Sequence, residues 1–321
     1  MDPPPQDEPR FRRFDLDSAS NWKIEVTEAC PGLDEIDISL EDENELREIQ
    51  AALAQSTSTI FRIRIGGRKR QNPSAYIVPA LVQSLFAGLD FPNLRRIDLG
   101  SFADMALQVP GPIMPQQISS LENTVMLSMV NLRWIFPSDS SNLRSVSLRL
   151  SDFDSTDYTT FFNLISASIQ VIALDCPPHV YASIDSESYG RNEGFPSLLP
   201  HHFTALPQLT SLTLRGFQGP SVSFLHVLAT SSPLLRSLDF SDCFWIPSHV
   251  STTPNDRLNP FRDQDVVAAL NRFKNLRRIE FGYLPSCEKS SYDGLKTSLK
   301  EIGIEMEWQV IGDLDSASAP W

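Results

Sequence analysis

The residue types that could do chemistry in this chain occur in clusters whose spacing does not support it. Ser286-Cys287-Glu288-Lys289 fits the S-x-x-K pattern of an acylated serine, and Lys296-Thr297-Ser298 faintly matches the K-T-G that accompanies it. The two lie seven residues apart, whereas in that enzyme class they come from distant parts of the fold, so the match is chance. Gly66-Gly67-Arg68-Lys69-Arg70 misses the G-x-x-x-x-G-K-[ST] spacing of a phosphate loop, and no G-x-S-x-G elbow occurs. His201-His202 offers imidazoles but no third ligand at metal spacing. Cys30, Cys176, Cys243 and Cys287 lie far apart without a C-x-x-C pair, which fits reduced thiols better than a disulfide framework or a zinc site. No catalytic residue, metal or cofactor is expected.

The elements that would position any site follow from one recurring phrase, Leu-x-x-Leu-x-Leu. It stands at Leu94–Leu99, Leu143–Leu148 and Leu209–Leu214, and with a terminal phenylalanine at Leu235–Phe240 and Leu276–Phe281. Looser copies start at Leu33, Ile60, Ile169 and Leu299, and a degenerate one keeps Val125 and Leu127. The central apolar residues are Ile36, Ile63, Ile97, Val125, Val146, Ile172, Leu212, Leu238, Ile279 and Ile302, at intervals of 27, 34, 28, 21, 26, 40, 26, 41 and 23 residues. Phe11–Leu16 already imitates such a strand, 22 residues before Ile36.

Within each copy, apolar and polar residues alternate, as in a short strand buried on one face. Between copies the apolar spacing turns helical: Leu46/Ile49/Leu53, Leu81/Leu85/Leu89, Phe161/Leu164/Ile165, Phe224/Leu225/Leu228 and Val266/Val267/Leu270/Phe273, the third preceded by a candidate N-cap at Asp154-Ser155. Strand, turn and helix repeated in one sense predict an α/β solenoid, with a curved parallel sheet on the concave side and helices and loops on the convex side. A doubly wound sheet also alternates strand and helix, but its strands are longer and it needs a Gly-rich first turn that is missing here.

The pattern resembles leucine-rich repeat proteins. Val130-Asn131-Leu132-Arg133-Trp134, Ser141-Asn142-Leu143-Arg144, Phe91-Pro92-Asn93-Leu94-Arg95 and Ser231-Ser232-Pro233-Leu234-Leu235 resemble the repeat region of fungal F-box-type leucine-rich repeat proteins, over about residues 20–310. The resemblance implies substrate recognition in an F-box-like ubiquitin-ligase adaptor, although no Leu-Pro-type F-box segment precedes the repeats. The Asn or Cys usual three positions after the last leucine is matched only by Cys243, which predicts irregular repeats.

The domain limits expected are a tail at 1–10, the repeat domain at 11–312 and a second tail at 313–321. Hydrophobic residues make up 41% of the 321, enough for a core. A net charge of −13 argues against a general nucleic-acid binder. The acidity is uneven: residues 1–60 hold fifteen Asp and Glu against five Lys and Arg, and Arg62, Arg64, Arg68, Lys69 and Arg70 follow. The start of the chain has no apolar stretch of signal-peptide type, no run approaches ~18 apolar residues, and no Asn-x-Ser/Thr sequon occurs. The expectation is a monomer of the cytoplasm or nucleus, bound to neither membrane nor nucleic acid.

Strand alternation sends the residues beside each central position to the concave face. There Glu35/Asp37, Arg62/Arg64 and Arg96/Asp98 are charged, and Arg62 and Arg64 should neutralise the acidic flank. Thr124, Met126, Ser145, Ser147, Val171, Ala173, Ser211 and Thr213 carry no charge and form a candidate floor for another protein, approachable at little desolvation cost. The 40- and 41-residue intervals hold insertions leaving adjacent parts of one rim, where Tyr181, Tyr189, Phe244 and Trp245 are candidate aromatic anchors. The expected function is a non-enzymatic protein-interaction module. The rivals are a hydrolase or transferase with its site in the insertions at 175–208 and 241–275, and a fragment without independent function.

Overall fold

Each strong copy of the phrase forms a short strand in the computed structural model, which describes residues 13–15, 35–39, 43–54, 57–66, 79–99, 115, 117–126, 140–150, 161–165, 167–176, 200–217, 222–241, 243, 263–281 and 289–308. The chain divides into two compact units, Met1–Leu143 and Arg144–Trp321. The first contains β1 (Arg13–Asp15), β2 (Glu35–Ser39), β3 (Arg62–Gly66), β4 (Arg96–Leu99) and β5 (Ser120–Met126), all parallel and paired in chain order. Helices α1 (Glu43–Leu53) and α2 (Pro79–Gly88) fill two of the crossovers. The second contains β6 (Ser145–Leu150), β7 (Val171–Asp175), β8 (Ser211–Arg215), β9 (Ser237–Phe240), β10 (Arg278–Phe281) and β11 (Glu305–Trp308), again parallel and in chain order. Its helices are α3 (Val222–Ser231), α4 (Asp263–Leu270) and α5 (Lys289–Glu301).

Register follows the phrase. In the first unit Phe14, Ile36, Ile63, Ile97 and Leu121 lie side by side. In the second, Val146, Ile172, Leu212, Leu238, Ile279 and Met306 do. A repeated backbone device locks this register: at the start of a strand two successive N–H groups donate to one carbonyl of the preceding repeat. Arg95 and Arg96 donate to Phe61 at 2.9 and 3.1 Å, Thr210 and Ser211 to Gln170 at 2.7 and 3.1 Å, and Arg277 and Arg278 to Arg236 at 2.8 and 3.1 Å.

Two central residues differ from expectation. Opposite Ile97 stands Leu121, not Val125, and opposite Ile279 stands Met306, not Ile302. Both shifts are four residues. Alternation along a strand has period two, so a four-residue slip leaves every side chain on the same face and the pattern alone cannot detect it. The corrected intervals are 24 residues from Ile97 and 27 from Ile279. Leu299, read as the start of a strand copy, lies instead in α5, where Leu295 and Leu299 are both buried one helical turn apart. Lys296-Thr297-Ser298 lies in the same helix, with the Thr297 hydroxyl donating to the Asp293 carbonyl at 2.7 Å, so it forms no catalytic loop.

The core lies on the helix side of each sheet. Leu46, Ile49 and Leu53 of α1 and Phe224, Leu225 and Leu228 of α3 are buried, as their spacing predicts. In the second unit a line of rings runs through successive repeats: Phe161–Phe162 (4.9 Å), Phe162–Phe203 (4.6 Å), Phe203–Phe224 (4.9 Å), Phe224–Phe240 (6.4 Å) and Phe240–Phe281 (6.5 Å). The rings pack edge-on or tilted, and contacts such as Phe162–Phe203 and Phe240–Phe281 tie one repeat to the next. Asparagine does the same at the surface: Asn93 Nδ2 donates to the Ser58 carbonyl at 2.6 Å and Asn275 Nδ2 to the Pro233 carbonyl at 2.8 Å. Cys243 occupies the place expected of a repeat cysteine, its thiol donating to the Leu214 carbonyl at 3.0 Å.

His202 is buried and stacks on Phe162, ring centroids 5.4 Å apart and ring planes nearly parallel. Burial first, and then repulsion from His201, lower its pKa to about 4. In the unfolded chain the imidazole takes up a proton near pH 6.5, while the folded chain resists it, so stability is full above that pH and falls as pH drops toward 4. The urea midpoint should shift down by the equivalent of about 1 kcal/mol between pH 7 and 5.5, and His202→Gln should remove that part of the drop. An unchanged drop in the variant would contradict the assignment to His202.

Candidate partner-binding face

The side of each sheet opposite the helices carries the residues flanking the central positions. In the first unit this face is a charge lattice. Arg62 lies 2.8 Å from Glu122, 3.7 Å from Glu35 and 3.7 Å from Asp98, while Arg64 Nε donates to Asp98 at 2.8 Å. Arg96 lies 3.8 Å from Glu122 and its guanidinium stacks 5.3 Å over the Phe61 ring. Arg62 and Arg64 thus neutralise neighbouring carboxylates, as the sequence predicts. Asp98 is the deepest of these groups, 4% exposed, and two guanidinium groups compensate its burial. Glu122 was missed because the shifted register assigned it a core place. Paired with β4 it flanks Leu121 and completes the lattice with Arg62 and Arg96.

The second unit differs. Ser145 and Ser147 on β6, Val171 and Ala173 on β7, and Ser211 and Thr213 on β8 are all half-buried and in direct register, so three adjacent strands present a small, uncharged surface. Charge returns on β9 to β11 with Asp239, Arg278, Glu280, Glu305 and Glu307, where Arg278 pairs with Glu280 at 3.5 Å and with Glu307. Two residues beyond the floor, at the carboxyl ends of the strands, Arg149 lies 3.6 Å from Asp175 and Arg215 lies 2.8 Å from Asp239.

The other predicted residues lie, wholly or in their side chains, outside the described residues. Thr124 and Met126 belong to β5, past Glu122, the last of its residues registered on β4, and their side chains lie outside the described residues. In the registered part of β5, Ser120 and Glu122 flank the centre instead. In the last repeat, centred on Met306 rather than Ile302, Glu305 and Glu307 flank the centre. Tyr181, Tyr189, Phe244 and Trp245 lie outside the described residues, as does Asp154-Ser155. Among the described residues, no group of three or more His, Cys, Asp or Glu is placed to hold a metal ion, and no helix is long and apolar enough to cross a membrane.

No protein-family model matches the chain, and no curated protein does. Among solved structures it is similar to an internalin from Listeria monocytogenes str. 4b F2365, with TM-score 0.42 and 11% identity over 87% of this chain and 67% of that one. It is also similar to TLR13 in complex with ssRNA13, with TM-score 0.40 and 12% identity over 89% of this chain and 38% of that one. Similarity at this level carries no functional argument, and the fold rests on the chain's own period and register. Parallel strands one per repeat, centred on the leucine phrase and backed by helices, make this an irregular α/β leucine-rich repeat fold.

Proposed function

We propose that the chain is a non-enzymatic protein-interaction module that holds another protein on the open face of β6, β7 and β8. One observation carries the reading: Ser145, Ser147, Val171, Ala173, Ser211 and Thr213 stay uncharged and half-buried across three adjacent strands, while strands on either side of a repeat stack are free to carry charge, as β9 to β11 do. Such a surface lets a partner backbone approach closely without stripping water from charges. The proposed aromatic rim of Tyr181, Tyr189, Phe244 and Trp245 would anchor the contact at its edge. The finer reading, substrate recognition in an F-box-like ubiquitin-ligase adaptor, is supported by the resemblance of the Asn-Leu-Arg phrases.

Affinity capture with the full chain tests this. Ala173→Arg puts a long cation between Ser147 and Thr213, its register neighbours. The variant should keep its melting temperature and weaken the captured partner's Kd by at least about 2 kcal/mol, and Trp245→Ala should weaken it by a similar amount. Unchanged partner binding by Ala173→Arg would overturn the proposal.

A further inference from the structure

The floor of β6 to β8 is edged by arginines. Arg149 and Arg215 follow the buried Leu148 and Leu214 and flank Asp175 of β7 in direct register. Their exposure exceeds that of the carboxylates they meet: 54% for Arg149 against 43% for Asp175, and 44% for Arg215 against 15% for Asp239. Asp239 is committed from below, one carboxylate oxygen accepting from both the Ser241 N–H at 2.9 Å and the Ser241 hydroxyl at 2.6 Å, the other from Arg215. Asp239 is thus sunk and pinned, and the longer Arg215 guanidinium lies beside it, pre-oriented, while Arg149 and Asp175 are both exposed. Of these four described charged groups, the two arginines are the most exposed.

We infer that the partner segment held on this floor is an acidic polypeptide, with carboxylates on Arg149 and Arg215 and small or uncharged residues over Ser147, Ala173 and Thr213. The inference rests on the proposed reading of β6 to β8 as a partner site. Guanidinium groups are weakly hydrated and match a carboxylate with two parallel donors, so such contacts form at modest desolvation cost. Arg149 and Arg215 are two strands apart, which is roughly 10 Å at the usual strand spacing. An extended segment spans that distance in about three residues, and its side chains share a face at every second residue, so acidic residues two or four apart fit both. At physiological salt, charges more than about 8 Å away are screened, so the groups beside the floor, Arg149 and Arg215 among them, set the preference. Among the described residues of β6, β7 and β8 no aromatic side chain lies on the floor itself for bases to stack on, which favours a polypeptide over a single-stranded nucleic acid there.

Selection of phage-displayed random dodecapeptides on the full chain, on Arg149→Gln/Arg215→Gln and on Ala173→Arg tests the inference, with thermal melts confirming that each variant folds. The expected result is enrichment of Asp and Glu pairs two or four residues apart. A synthetic peptide of that sequence should bind about tenfold more weakly for each arginine removed, as loss of a charge-assisted contact predicts. Peptides enriched in Lys or Arg, or without charge bias, would overturn it, as would full binding by the double arginine variant. Peptides that bind Ala173→Arg as tightly as the native chain would overturn the floor reading itself. Loss on Ala173→Arg with retention on the arginine variant would overturn only the acidic partner. Salt-sensitive binding of a (dT)20 oligonucleotide through the same arginines, with no peptide enriched, would assign them to phosphate and end the proposal.

Discussion

Leu212→Asp should leave the second unit unfolded at ambient temperature. Leu212 is fully buried at the centre of β8, in register with Ile172 on one side and Leu238 on the other. Removing the leucine costs roughly 2–5 kcal/mol in lost burial and cavity, and a carboxylate placed there without a partner adds a desolvation penalty of several kcal/mol more. The sum rivals the whole stability of an ordinary domain, about 5–15 kcal/mol. Leu212→Met keeps volume and apolar character and should cost less than about 1.5 kcal/mol. Circular dichroism melts of the two variants check this. A cooperative, near-native melt for Leu212→Asp would mean that the strand register is wrong.

Gly216→Ala is the second large effect. Gly216 follows β8 with φ +71°, and a Cβ built there would lie 1.9 Å from the Cys176 carbonyl oxygen of the neighbouring repeat. The approach is close because the Cys176 N–H donates to the Arg215 carbonyl at 2.9 Å, binding the two strand exits together. An alanine must therefore adopt a left-handed conformation and push a backbone oxygen aside, at a cost of roughly 2–4 kcal/mol. Gly303 has φ +81° and open space around its Cβ position, so Gly303→Ala should show the conformational part alone, about 1 kcal/mol. Urea midpoints of the two variants separate strain from clash. Equal losses would mean that the Cys176 contact has no energetic weight.

The architecture was legible wherever the leucine phrase is intact, because the apolar residues that define it are those that neighbouring strands bury together. Leu143 to Leu148 and Leu209 to Leu214 are examples, and their central residues pair as read. Where the phrase decays, alternation still identified the face but not the register, since Leu121 and Val125 have the same parity, as do Ile302 and Met306. Pairing across repeats is what distinguishes them. The helix at Lys289–Glu301 was overlooked because Leu299 also fits the start of a strand phrase, and the Leu295/Leu299 spacing was the signal that could have revealed it.

The candidate site was legible in part for the same reason. Face assignment made Ser147, Ala173 and Thr213 recognisable as a floor from their positions alone. Arg149 and Arg215 escaped notice because they lie three residues after the strand centre, beyond the flanking positions, and only register shows them standing beside that floor. Long-range polar links such as Asn93 to Ser58 join residues in different repeats, so no local pattern reveals them.

Site-specific photo-crosslinking tests the central claim most directly. A benzophenone side chain is placed at Ala173 or Thr213 on the open face, and at Thr230 or Lys300, both exposed on the helices. The account predicts covalent adducts with the captured partner from Ala173 and Thr213 and none from Thr230 and Lys300. Adducts from the helix positions with none from the floor would contradict it.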